Sequence, residues 1–338
     1  MAKGHSSLNF LITLFLGLLC SALVGAAPLD FNVLKQLPAD TPLAKVRMIS
    51  TFDGSNLAYR QYVPRDPRGL VVLFHAAGLH SAVGLNYLAY HLAKEQRVVV
   101  VTPDMRGHGA SEGPPGDAPK QDSYMMDMDN MLAYATYSFP KMPLLVGVHS
   151  SASALMLNYL EWTKRKDVRG VMFISPYLGP KAKLERVSTP PVVQVHKAGM
   201  ATNKSTLGLA CRHCKGLTFD LPHAAKITYR PLVTEFTVAA ARAFSTSNPL
   251  LQVRKLRLPY AVVVGSKDEL IQGGRTKQFF KMNGRTPWMM KNEIVPNATH
   301  LSILFQGKDQ IGGWVDQMLA QPPQRSTRAG GGISPVLS

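Results

Sequence analysis

Pro143-Leu144-Leu145-Val146-Gly147-Val148-His149-Ser150-Ser151-Ala152-Ser153 is a short apolar run that gives way to small polar residues and then, from Ser151 to about Arg165, to a helix-like stretch. A nearly all-apolar run of this length suits a strand buried on both faces of a parallel sheet. A serine at its end stands on a tight strand-to-helix turn, which pushes the hydroxyl outward and presses its neighbours together. The helix start behind it offers free backbone N–H groups and the positive end of a dipole. Ser150 fits the exposed position of such a turn. The competing reading is that Ser150 or Ser151 only caps the helix. β-Branched Val148 is expected to crowd the turn, because a smaller residue is wanted there.

Leu70–Phe74, Val98–Thr102, Gly170–Ile174 and Tyr260–Gly265 repeat the buried-strand pattern, and Trp288–Val295 reads as a last strand. Between them lie helix-like stretches at Tyr87–Lys94 and Ser123–Tyr137, and Ile303–Leu319 is a mostly helical end. Arg47–Thr51 and Leu57–Tyr62 alternate around Asp53-Gly54 and read as a hairpin. Strand–helix alternation predicts an α/β chain with a mostly parallel, doubly wound sheet. From Tyr177 to about Ser245 the alternation stops, prolines punctuate the chain, and no clear sheet strand is visible. That segment carries ten Lys and Arg against Glu185, Asp220 and Glu235, a net +7. The expected organisation is a signal peptide at 1–26, a first core part at 27–176, an insertion at 177–245, a second core part at 246–320, and a flexible tail at 321–338.

The chain has 338 residues, 46% of them apolar and 17% charged. A mean hydropathy of −0.01 excludes a polytopic membrane protein, and Gly and Pro are too few for a fibrous one. Lys3 followed by the apolar Leu8–Leu19 stretch and the small residues Val24-Gly25-Ala26-Ala27 reads as a secretory signal cleaved near Ala26; an uncleaved membrane anchor is the alternative. Export would leave Cys211 and Cys214, two of the three cysteines, as a Cys-x-x-Cys that closes a small disulfide or stays as two thiols. A second ligand pair for a metal is missing. Asn203-Lys204-Ser205 and Asn297-Ala298-Thr299 are acceptor sequons for glycosylation. The formal net charge of +17 would suit nucleic acid, but no basic stretch interleaved with aromatics supports that.

Reactive groups in an open α/β sheet collect beyond the carboxyl ends of the strands. Beyond Phe74 comes His75-Ala76-Ala77-Gly78-Leu79-His80-Ser81, where a backbone N–H can approach a developing oxyanion; Ala77 and Ser151 are the candidate donors. Beyond Gly265, Asp268 is placed to orient a histidine, with Glu269 as the fallback. Beyond the last strand, His300 lies in a loop from which it can reach Ser150. Serine, acid and histidine in that chain order, each after a strand, form the arrangement of a Ser-His-Asp hydrolase.

These motifs, together with Asp104-Met105-Arg106-Gly107-His108-Gly109-Ala110-Ser111-Glu112-Gly113, Ile174-Ser175-Pro176 and Gly265-Ser266-Lys267-Asp268, carry a resemblance. From about Val46 to Leu319 the chain is similar to the α/β-hydrolase superfamily, in the branch of monoacylglycerol lipases, lysophospholipases and serine aminopeptidase-type hydrolases. The resemblance implies the α/β-hydrolase fold with the insertion as a cap, nucleophile Ser150, acid Asp268, base His300, and oxyanion donors Ala77 and Ser151. It implies no metal and no organic cofactor. It departs where the family has glycine and this chain has Ala76, Val148, Ala152 and Ser153, and a shifted helix after Val148 is one expected consequence. The expected substrate is a small lipid-like ester, with an anionic membrane surface as a partner suggested by the basic insertion. The alternatives are a catalytically silent binding protein of this fold and a peptidase or amidase.

Overall fold

The structure is a computed structural model that describes residues 29–186 and 192–321. The expected signal peptide at 1–26, and all of the expected tail except Gln321, lie outside the described residues. In chain order the strands are β1 Arg47–Ser50, β2 Asn56–Tyr62, β3 Leu70–Phe74, β4 Val99–Pro103, β5 Leu144–His149, β6 Val168–Ile174, β7 Val193–Val195, β8 Lys215–Phe219, β9 Glu235–Thr237, β10 Tyr260–Gly265 and β11 Met289–Val295. The helices are α1 Leu85–Glu95, α2 Ser123–Ser138, α3 Ala152–Trp162, α4 Lys197–Ser205, α5 His223–Thr228, α6 Val238–Ala243, α7 Pro249–Lys255, α8 Gly273–Asn283, α9 Ile303–Gln306 and α10 Lys308–Ala320.

An eight-stranded sheet runs in the order β1-β2-β4-β3-β5-β6-β10-β11. The first hairpin is antiparallel, and β2 meets β4 antiparallel; the six strands from β4 to β11 are mutually parallel. The buried runs explain why both faces are covered. Side chains alternate across a strand, so Leu70, Val72, Phe74, Val146, Val148 and Val262 face one side with α2, α3, α7 and α8 packed over them. Val71, Leu73, Val100, Leu145 and Val263 face the other, under α1, α9 and α10, where Trp314 and Val315 complete the layer.

The segment between β6 and α7 departs from expectation: it carries a three-stranded antiparallel sheet, β7-β8-β9, with α4, α5 and α6. These strands are three to five residues long and mostly half-exposed, so they leave no apolar run in the sequence. The layer is fastened to the main sheet's loops by Val233 N–H to the Gly78 carbonyl and Thr237 N–H to the Gly116 carbonyl, both 3.0 Å, and by a bridge between Glu185 and Ile271. Cys211 and Cys214 form a disulfide, in a loop whose carbonyls at Cys214 and Arg212 accept the first N–H groups of α6. Asn203 is buried, with its amide donating to the Ala210 carbonyl and accepting from Arg242, which removes it as a glycosylation site; Asn297 is exposed. Among the described residues no helix is long and apolar enough to cross a membrane.

Candidate active site

β5 ends at His149 and α3 begins at Ala152, which leaves Ser150 and Ser151 to make the whole turn. Ser150 holds a left-handed backbone, φ 54°, a conformation that costs a non-glycine residue about 1–3 kcal/mol. The surroundings enforce it: the Ser150 N–H donates to the Ile174 carbonyl at 2.9 Å, and its carbonyl accepts from Ser153 and Tyr177 at 3.0 and 3.1 Å. Val148 does not crowd this turn. Its side chain is fully buried in the core beneath α3, and the tight approach falls one residue earlier, where a Cβ on Gly147 would lie 2.4 Å from Leu73 Cδ2. No shifted helix is required. The Ala76 methyl is likewise absorbed, in a cluster with Leu29, Phe31 and Leu79.

Ser150 Oγ lies 2.9 Å from His300 Nε2. On the other side of the ring, Nδ1 is 3.0 Å from both oxygens of Asp268. An ionised carboxylate only accepts, so Nδ1 carries the proton and Nε2 is left to accept from the serine hydroxyl. All three side chains are buried. Two loops are held together to make this meeting. Lys267 N–H donates to the Ala298 carbonyl at 2.9 Å, Asn297 N–H donates to Ser266 Oγ at 2.8 Å, and a Cβ on Gly265 would strike the Ala298 carbonyl oxygen at 2.1 Å. Asp268 also accepts the N–H groups of Leu270 and Ile271. Burial pushes its carboxyl up, but His300 and the Ile271 N–H outweigh that and hold it below the usual carboxylate range. Burial lowers His300, while Asp268 and then Glu269 raise it, and the net direction is up from 6.5.

Glu269 does not touch the imidazole. Its carboxylate accepts the main-chain N–H of His300 at 2.8 Å and that of Asp30 at 2.9 Å, so it fixes the histidine's backbone and ties down the start of the described chain. His149 supports the same residue from below: its Nε2 donates to the His300 carbonyl at 3.0 Å. Burial lowers its pKa to about 3, so it is neutral. Neither role was visible in the sequence, since both run through the backbone of residue 300; adjacency to Asp268 and Ser150 was the only signal.

Ala77 and Ser151, the candidate oxyanion donors, line one cavity with Ser150, and the Ala77 N–H donates to Ser151 Oγ at 2.8 Å. Two neutral histidines position the Ala77 loop. His75 Nδ1 donates to the Ala76 carbonyl and Nε2 accepts from Met105 N–H, while His108 accepts from Gly78 N–H and donates to the Arg106 carbonyl. Burial lowers His108 to about 4 and His75 further. Arg106 acts at a distance from the chemistry: fully buried, it grips Asp127 through two hydrogen bonds of 2.8 and 2.7 Å and Asp53 at 2.8 Å, joining the first hairpin to α2. Among the described residues no three His, Cys, Asp or Glu side chains gather into a metal site.

Ser150, Ala77 and His300 open into a cavity of about 380 Å³ roofed by the insertion, with Val192, Met200, Leu217, Phe219, Phe236 and Phe244 among its mostly apolar walls.

Residues 65–304 match the family described as serine aminopeptidase, S33. Among curated proteins, an uncharacterized abhydrolase domain-containing protein of Dictyostelium discoideum is 28% identical over 145 residues, which is 43% of this chain; the chain spans 15% of that relative. Among solved structures, monoglyceride lipase from Saccharomyces cerevisiae superposes with a TM-score of 0.63 at 17% identity, covering 86% of this chain and 99% of its own. Est1E from Butyrivibrio proteoclasticus, with ferulic acid bound, gives 0.59 at 16% identity and covers 81% and 100%. A carboxyl esterase from Bacillus coagulans gives 0.61 at 16%, covering 82% and 100%. With the sheet order, the turn at Ser150 and the family match over residues 65–304, the chain belongs to the serine aminopeptidase S33 family of α/β-hydrolases.

Proposed function

We propose that the protein cleaves carboxylic esters of single acyl chains, of the monoacylglycerol or lysophospholipid type, through an acyl-enzyme on Ser150. The observation that carries this reading is the Ser150–His300–Asp268 chain of hydrogen bonds, whose Ser150 and His300 lie on the floor of an apolar cavity. His300 takes the Ser150 proton as Oγ attacks the ester carbon, and Asp268 holds the imidazole in the required tautomer and stabilises its charge. The carbonyl oxygen becomes an oxyanion facing the N–H groups of Ala77 and Ser151. The intermediate collapses as His300 returns that proton to the departing alcohol oxygen. Water then gives a proton to His300 and its hydroxide to the acyl carbon, and the fatty acid leaves as Ser150 recovers its hydrogen.

The cap supports an anionic lipid surface as the place of work. Beyond its net +7, Leu207 and Leu209 are 93% and 84% exposed on a turn between Lys204 and Arg212, a pairing of apolar and basic groups that suits an acidic membrane interface. The Cys211–Cys214 disulfide supports export into an oxidising compartment. A chain-length series of nitrophenyl esters beside aminoacyl nitroanilides tests the substrate class. The reading expects kcat/KM to rise with acyl length while the cavity fills. Preference for an aminoacyl amide would overturn it in favour of the peptidase chemistry that the family description names.

A further inference from the structure

Ser151 follows the candidate nucleophile directly. Its main-chain N–H is one of the two groups assigned to the oxyanion, and the Ala77 N–H is the other. The side chain of Ser151 uses the second: Oγ accepts the Ala77 N–H at 2.8 Å. The same hydroxyl makes no capping bond at the start of α3, so helix formation does not explain its direction. Ser151 lines the cavity together with Ser150, Ala77 and His300, and an N–H aimed at one acceptor at this distance has no hydrogen left for another of equal strength.

We infer that the Ser151 hydroxyl occupies the oxyanion position of the resting site and turns away about its Cα–Cβ bond before a substrate carbonyl enters. This rests on the roles proposed for Ser150 and Ala77. The residue that supplies one donor through its backbone thus blocks the other through its side chain, and every substrate has to exchange one neutral hydrogen bond before it reacts. The exchange slows capture by about threefold to tenfold, the equivalent of one such bond. Alanine at this position keeps the backbone donor and the turn and removes only the occupant.

The test compares second-order rates of labelling by a fluorophosphonate, and inhibition by an acyl trifluoromethyl ketone, in the wild type, Ser151→Ala and Ser151→Thr. Ser151→Ala is expected to label about threefold to tenfold faster and to bind the ketone more tightly by a similar factor, whereas Ser151→Thr, which retains a hydroxyl, gains neither. If Ser151→Ala fails to fold, Ser151→Gly carries the same expectation. Labelling of the wild type with equal or slower labelling of the hydroxyl-free variants overturns the inference alone, because the hydroxyl then serves as a bystander or as a donor. Absence of labelling in every variant overturns the ester-hydrolase reading with it.

Discussion

At the scale of single residues, the proposed mechanism makes His300 the group that sets the working pH. Its protonated form cannot accept the Ser150 proton, so activity is lost as pH falls through its pKa, which Asp268 and Glu269 raise above 6.5 against the effect of burial. The pH profile of kcat/KM is therefore expected to rise through an inflection above 6.5. Glu269→Gln keeps the hydrogen bond to the His300 N–H but removes the charge, and is expected to move that inflection downward; an inflection that stays in place contradicts the electrostatic part of the account. Asp268→Asn is expected to lower kcat by about 10⁴-fold, since an amide favours the wrong imidazole tautomer. That Ser150, Asp268 and His300 could meet was legible because each follows a strand of the sheet and the fold, rather than the chemistry, fixes their chain order. His149 and Glu269 were not, because a bond to another residue's backbone leaves no pattern of type or spacing.

The elements show a different balance between what sequence and structure reveal. Buried strands announce themselves: β3, β5, β6 and β10 are runs in which alternate residues serve two cores. The cap's β7, β8 and β9 were illegible, because three to five half-exposed residues carry no such run. Val148 misled for a related reason. The motif marks where small residues are usual, but the direction of the side chain decides whether bulk matters, and here it points into the core while Gly147 meets Leu73. The Arg106 stretch fastens elements together. Asp127 is buried and its carboxyl is pushed up by burial, with Arg106 opposing the shift. Arg106→Met leaves that carboxylate without its partner and is expected to cost about 3–5 kcal/mol, read from urea unfolding curves at neutral pH. A loss below about 1 kcal/mol would show that the pair contributes no more than a surface one.

For the whole molecule, the cap and the core share one cavity, with Ser150 and His300 on its floor and Leu29 in its wall. The exposed Leu207 and Leu209 lie on the cap, which makes their turn the proposed point of contact with a lipid surface. Sedimentation with vesicles containing phosphatidylserine is expected to capture the wild type at low salt and to lose Leu207→Ser/Leu209→Ser; equal capture of both contradicts that placement. The fold class was legible from alternation alone, whereas the short insertion strands that carry Val193, Leu217, Phe219 and Phe236 into the cavity wall were not. In the proposed reaction a buried imidazole makes the hydroxyl at residue 150 a nucleophile. Fluorophosphonate labelling followed by peptide mass analysis tests it most directly. The account predicts one adduct, on Ser150, absent from Ser150→Ala and strongly slowed in His300→Ala; a folded wild-type protein that stays unlabelled, or carries the adduct on another residue, contradicts it.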